Sequence, residues 1–154
     1  MPKSSPRWRW SRASFTLASR GAAVATLLSQ YDRPTSLVAG SKEIARVFRL
    51  GCEGGEGLDA DEKIQFEMMV SQYFTVYHTA FCFHRDGILP DAQWRVFRRD
   101  LAEFKDYPEW RRLLPYYTSY YSPDPEFLHE LGRIEAEHIE HTDTTFIAAF
   151  KKNG

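Results

Sequence analysis

The sequence predicts an all-α domain, a compact bundle of about six helices, on three observations. Apolar residues recur three and four apart along most of the chain; no strand or internal repeat is discernible; and serine, aspartate, proline and glycine fall where helices of ordinary length would start and stop. With 43% hydrophobic and 15% aromatic residues in a chain of 154, one domain has material for a core without needing a metal or a disulfide.

Met1 to Ser11 holds two prolines and the cluster Arg7-Trp8-Arg9-Trp10, and is expected to be a mobile basic tail (1–11) ahead of a single helical domain (12–154). From Arg12 to about Tyr31, the residues Phe15, Ala18, Ala22, Ala25 and Leu28 share helical spacing, and Asp32 to Pro34 is expected to end this first helix. Ser41 stands before Ile44, Ala45, Val47 and Phe48 as an N-cap would, with Arg46 and Arg49 near the far end and Gly51 behind. A short second helix is expected there, followed by a loop from Gly51 to Gly57.

The clearest helix start is Asp59, whose carboxylate can accept from first-turn amides while Glu62 reaches back. Behind it Phe66, Met69, Val70, Tyr73, Phe74, Tyr77, Ala80, Phe81 and His84 make one broad face up to Gly87, the mark of a central helix. A fourth helix from Pro90 or Asp91 buries Trp94, Phe97, Leu101 and Phe104 and stops before Pro108, because the residue preceding a proline disfavours helical geometry. Pro108 opens a short fifth helix with Trp110, Leu113 and Leu114, which Pro115 is expected to close. Tyr116 to Ser122 then reads as a tyrosine-rich connection. Ser122-Pro123 reads as the cap and first turn of a last helix carrying Phe127, Leu128, Leu131, Ile134, Ile139, Phe146, Ile147 and Phe150.

The net charge of −1 hides an asymmetry: Lys3, Arg7, Arg9, Arg12 and Arg20 all precede the first acid, Asp32, and the remainder is mildly acidic. A body without a basic stripe argues against general nucleic-acid binding. Two cysteines, Cys52 and Cys82, without a CxxC pair point to a reducing, cytoplasmic setting. The best apolar run, Ala22 to Leu28, falls far short of the roughly 20 residues that a membrane span needs. The acid-free N-terminus has the composition of an organelle transit peptide, but Arg20 interrupts the apolar stretch and no small-residue cleavage site is obvious.

From Ser41 to Leu131 the chain resembles a widespread bacterial family of unknown function. The resemblance is carried by Glu43-Ile44-Ala45-Arg46-Val47-Phe48-Arg49-Leu50-Gly51, by Leu58-Asp59-Ala60-Asp61-Glu62, and by Phe66 to Tyr77. It continues through Arg85-Asp86-Gly87-Ile88-Leu89, Trp94, Arg98-Arg99-Asp100-Leu101, Trp110, and Ser122-Pro123 followed by Phe127. The resemblance implies a helical domain and no activity, since these positions read as caps, turns and core. Members of that family commonly carry an N-terminal membrane helix, then an Arg-rich juncture; here Arg12-Ala13-Ser14-Phe15 would correspond to the start of the first soluble helix, and Met1 to Trp10 stands where the anchor would be.

No motif names a substrate or a cofactor. The last helix carries two Glu-x-x-His pairs, Glu126 with His129 and Glu135 with His138, plus His141 one turn on. Glu and His three apart can ligate one ion, so Glu135, His138 and His141 are a candidate metal site; the plainer reading is a solvated Glu/His face, because a di-iron bundle needs its pairs on two facing helices. On the central helix His78 and Cys82 are adjacent at i and i+4, whereas His84 faces elsewhere; a buried thiol and a hydrogen-bonded histidine in an aromatic core explain them more plainly than zinc. Cys82 as a nucleophile with His78 as its base would need an electropositive, partly open setting, not the company of Phe81 and Phe83. The loop with Glu53 and Glu56 would repel a phosphate and lacks the lysine of a phosphate cradle.

Arg7, Trp8, Arg9, Trp10 and Arg12 suit contact with an anionic membrane surface, or, less well, stacking on single-stranded nucleic acid. Tyr116, Tyr117, Tyr120 and Tyr121 offer aromatic area with polar tips, as partner surfaces do, with packing on the core as the alternative. The function expected from these features is a non-enzymatic helical module that works through an as yet unidentified protein partner, cytoplasmic and either soluble or peripheral at a membrane. A metal-binding bundle or metal-dependent enzyme using the last helix is its rival.

Overall fold

Six helices follow one another in the computed structural model, which describes residues 16–105 and 107–137: α1 (Leu17–Gly40), α2 (Lys42–Cys52), α3 (Ala60–Arg85), α4 (Asp91–Phe104), α5 (Pro108–Tyr120) and α6 (Pro125–Ala136). No strand occurs among the described residues, so the chain is an all-α bundle. The tail over 1–11 and the end of the chain from His138 lie outside them.

The organising element is α3, about 39 Å long at 1.5 Å per residue. Its start has the expected capping box: Asp59 accepts from the Glu62 amide at 2.9 Å, and the Glu62 carboxylate accepts from the Asp59 amide at 3.1 Å. α1, α2 and α4 pack on it, α5 lies against α2, and α6 against α4. Phe66, Met69, Tyr73, Phe74, Val76, Tyr77, Ala80 and Phe81 are buried along α3, so it is covered on more than one side, as a central helix must be. Gly87 (φ +74°) then turns the chain back toward α4 in a conformation that side chains with a Cβ rarely adopt.

Several expected boundaries move. α1 does not stop at Pro34 but runs to Gly40 with the proline inside it. Pro34 forfeits one backbone bond, yet its ring is fully buried, and the Thr35 hydroxyl donates to the Tyr31 carbonyl at 3.3 Å. Its inward face is also not the expected one: Leu27 and Pro34 are buried and Val24, Tyr31 and Val38 half-buried, while Ala18, Ala22, Ala25 and Leu28 are exposed. Alanines bury too little area to decide a face against larger neighbours one position away.

Gly51 lies within α2 and does not end it. A Cβ there would meet the Phe66 ring at 2.2 Å, so glycine is required by the close approach of α2 to α3. α5 likewise passes through Pro115 to Tyr120, so most of the expected tyrosine connection is helix. Pro115 is exposed, where water can satisfy the freed carbonyl, and burial of Leu113 and Tyr117 on either side keeps the helix going. The last helix starts two residues later than Ser122-Pro123, at Asp124-Pro125: Asp124 Oδ1 accepts from the Phe127 amide at 3.2 Å. α6 is tied to α4 by Arg98, whose Nε donates to buried Glu130 at 2.7 Å, with Arg133 on the other oxygen at 3.0 Å.

Candidate metal centre

Two local facts bring three donor atoms together where α3 meets the start of α6. His78 and Cys82 are four apart on α3 and therefore stand one above the other on the same face. Asp124 uses one oxygen, Oδ1, to cap α6, which fixes the carboxylate and turns Oδ2 toward that face. His78 Nε2 lies 3.1 Å from Asp124 Oδ2 and 3.6 Å from Cys82 Sγ, and the thiol lies 3.9 Å from the same carboxylate oxygen.

These separations suit one small ion. Ligand bonds of about 2.0 Å to oxygen, 2.05 Å to nitrogen and 2.3 Å to sulfur, at tetrahedral angles, would hold the donors about 3.3 Å (N to O), 3.6 Å (N to S) and 3.5 Å (S to O) apart. All three observed distances fall within about 0.4 Å of that triangle, a shift that side-chain torsions can supply. The surroundings suit it too, since His78 packs against the rings of Tyr121 (centroids 4.6 Å apart) and Phe127 (4.8 Å), and the side chains of His78 and Asp124 are only 27% and 18% exposed. A partly buried free thiol, imidazole and carboxylate are donor types that a zinc-class ion can take.

The charges at the site work both for and against an ion, which would have to displace the thiol proton. Partial burial opposes ionisation of Asp124, but the Phe127 amide, His78 and Arg85 outweigh it and hold the carboxyl below its usual value. Burial pushes the Cys82 thiol up to about 11, with Arg85 working in the opposite direction. Arg85 Nη1 reaches both oxygens of Asp124, at 3.3 and 3.1 Å, and Glu126 at 3.5 Å. It can keep Oδ1 if Oδ2 turns to an ion, and would then orient the ligand from outside the coordination sphere.

A thiol–imidazole–carboxylate set also invites comparison with a nucleophilic relay, which the geometry disfavours. In a relay the nucleophile and the orienting carboxylate sit on opposite ring nitrogens. Here Cys82 and Asp124 both approach Nε2, and the thiol is held protonated.

Of the residues singled out from the sequence, His78 and Cys82 meet as their spacing implies, and His84 is indeed elsewhere, stacked on Trp94 (centroids 5.6 Å, 13°). Asp124 was missed; its local signal was the Asp-Pro pair ahead of Phe127, which marks an N-cap as well as Ser122-Pro123 does. Glu135 is exposed on α6, and its expected co-ligands His138 and His141 lie outside the described residues, as do Arg7, Trp8, Arg9, Trp10 and Arg12. The tyrosine group divides: Tyr116 and Tyr120 are 60% and 64% exposed, but Tyr117 and Tyr121 are core residues, Tyr117 stacked on Phe74 at 3.8 Å. No described helix is long and apolar enough to cross a membrane.

Comparison with protein-family models, with curated proteins and with solved structures found no match.

Proposed function

We propose that this chain is a metal-binding helical module that takes up a zinc-class divalent ion through His78, Cys82 and Asp124. The observation that carries this reading is the convergence of three unlike donor atoms, within 4.8 Å of one another, from two helices 42 residues apart at the thiol and the carboxylate. The α6 cap and the α3 turn are already formed, so uptake of the ion adds a link between two helices and stabilises the fold in proportion to its affinity.

The test is metal content and titration of the full chain purified without a histidine tag. One equivalent of Zn²⁺ should bind, and Co²⁺ in its place should give a thiolate-to-metal charge-transfer band that Cys82→Ser abolishes. Asp124→Asn is the discriminating variant, because asparagine still caps a helix but gives up the charged ligand oxygen. Loss of an outer partner alone costs about 10- to 100-fold in affinity, so loss of this direct ligand should cost about 100-fold or more. Absence of stoichiometric metal, or metal lost in a His138→Ala, His141→Ala variant but kept in Cys82→Ser, would overturn the reading.

A protein-interaction role is a second reading, favoured by Tyr116 and Tyr120. Their rings stack on each other (centroids 6.2 Å, 27°) on the open side of α5, and aromatic area of this kind suits a partner surface.

A further inference from the structure

The mouth of a second site opens on another face of α3. A cleft of about 390 Å³ lies between α1, α2 and α4, within the range of small-molecule pockets. Five aromatic rings line it: Tyr31 from α1, Phe48 from α2, Tyr73 from α3, Phe104 from α4, and Tyr107 just beyond. The rings form a continuous set, with centroids 6.0 Å apart for Phe48 and Tyr73, 5.6 Å for Tyr73 and Phe104, and 5.9 Å for Phe104 and Tyr107.

The lining residues that carry charge are both acids, Asp100 and Glu103. Asp100 is held in place by O–H donors: Tyr31 donates to its Oδ2 at 2.7 Å, and Tyr77 donates to the same oxygen from the core. Two neutral donors fix the carboxylate without neutralising it. Glu103 is largely enclosed (16% exposed), and Arg99, itself 68% exposed, reaches it from the solvent side at 3.4 Å.

We infer that this cleft binds a small organic cation, an alkylated ammonium carried on a compact apolar body. Ring faces attract an ammonium through their quadrupole, most strongly where water is excluded, and the two carboxylates supply the counter-charge. Other occupants fit less well. A neutral apolar molecule would cover Asp100, whose partners are neutral phenols, without bringing it an opposite charge; an anion would be repelled; and a bare metal ion would find ring walls where it needs a shell of oxygens. The inference is independent of the metal centre, which lies on another face of α3.

The full chain should be titrated with choline and, in parallel, with its uncharged carbon isostere 3,3-dimethylbutan-1-ol, following backbone amide shifts by NMR. Choline should shift amides around Phe48, Asp100 and Tyr107 and bind about tenfold or more tightly than the isostere. Glu103→Gln and, separately, Tyr107→Leu should each weaken choline and leave the isostere unchanged, in variants whose helical melting matches the parent. Equal binding of both probes, shifts confined to other parts of the molecule, no binding of choline, or unchanged affinity in both folded variants would overturn the inference.

Discussion

Asp100 and Asp124 are both drawn onto α3, and the two sites they anchor differ because α3 presents different side chains one residue apart. Tyr77 donates to Asp100 on one side, and His78, the next residue, meets Asp124 on another, about 100° round the helix. Asp100 is held by neutral phenols in an aromatic wall, whereas Asp124 is held by an amide, an imidazole and a guanidinium. The first arrangement leaves a negative charge for a cation to answer. The second converges nitrogen, sulfur and oxygen on one point. What an aspartate does here is decided by the helix face it meets, not by its own identity.

The largest effect expected in this comparison is at Phe127. Its ring is fully buried and packs on His78, on Phe81 (centroids 5.4 Å) and on Tyr121 (5.2 Å), so it is the apolar support of the α3–α6 junction. Phe127→Ala should cost about 3–5 kcal/mol in chemical denaturation. It should also loosen His78 and Asp124 together while leaving the amides around Phe48 and Asp100 where they were. Equal disturbance of both regions would show that they do not act as separate sites.

A smaller effect is expected on the cleft side. Tyr77→Phe removes one donor to a carboxylate and should cost about 1.5–3 kcal/mol, less than the ring at the junction. It should also change the response to alkali. Burial, with Asp100 beside them, raises the pKa of Tyr31 and Tyr77 above the ordinary 10.0, and burial pushes Tyr117 up to about 12. The protonated phenol is therefore favoured by folding. That stabilisation is complete below pH 10 and is lost as the pH rises through the folded-state values. Stability followed by circular dichroism should fall above about pH 10, and less steeply in Tyr77→Phe than in the parent; a parent stability flat to pH 12 would refute the assignment of these phenols to the interior.

The junction and the cleft were not equally legible in the sequence. Wherever the chemistry is local, residues three or four apart announce it: Asp59 with Glu62 caps α3, Ser41 caps α2, and His78 with Cys82 shares a face. Pro34 and Pro115 misled because a proline removes one backbone bond, and the burial of Leu27 and Pro34, or of Leu113 and Tyr117, outweighs that local cost. Asp124 could be read as a cap but not as a ligand, since its partners on α3 lie 39 to 46 residues back. The cleft was hidden for a related reason: Tyr31, Phe48, Asp100 and Tyr107 come from separate elements, and the register of α1 that brings Tyr31 inward was masked by a run of alanines on the neighbouring face.

The smallest effect sharpens a different contrast, between alternate tyrosines of α5 and the residue after it. Tyr117 and Tyr121 are built into the core against Phe74 and Phe127, so Tyr117→Ala should cost several kcal/mol, about 3–5 by analogy with other buried rings. Tyr116 and Tyr120 touch mainly each other and their immediate neighbours, and a Tyr116→Ser, Tyr120→Ser double variant should shift stability by no more than about 0.5 kcal/mol per site. If that variant melts like the parent and yet loses a protein partner retained by the parent in purified form, the exposed pair is kept for contact. If it is destabilised as much as Tyr117→Ala, the pair belongs to the packing of α5, and the interaction reading loses the observation that favours it.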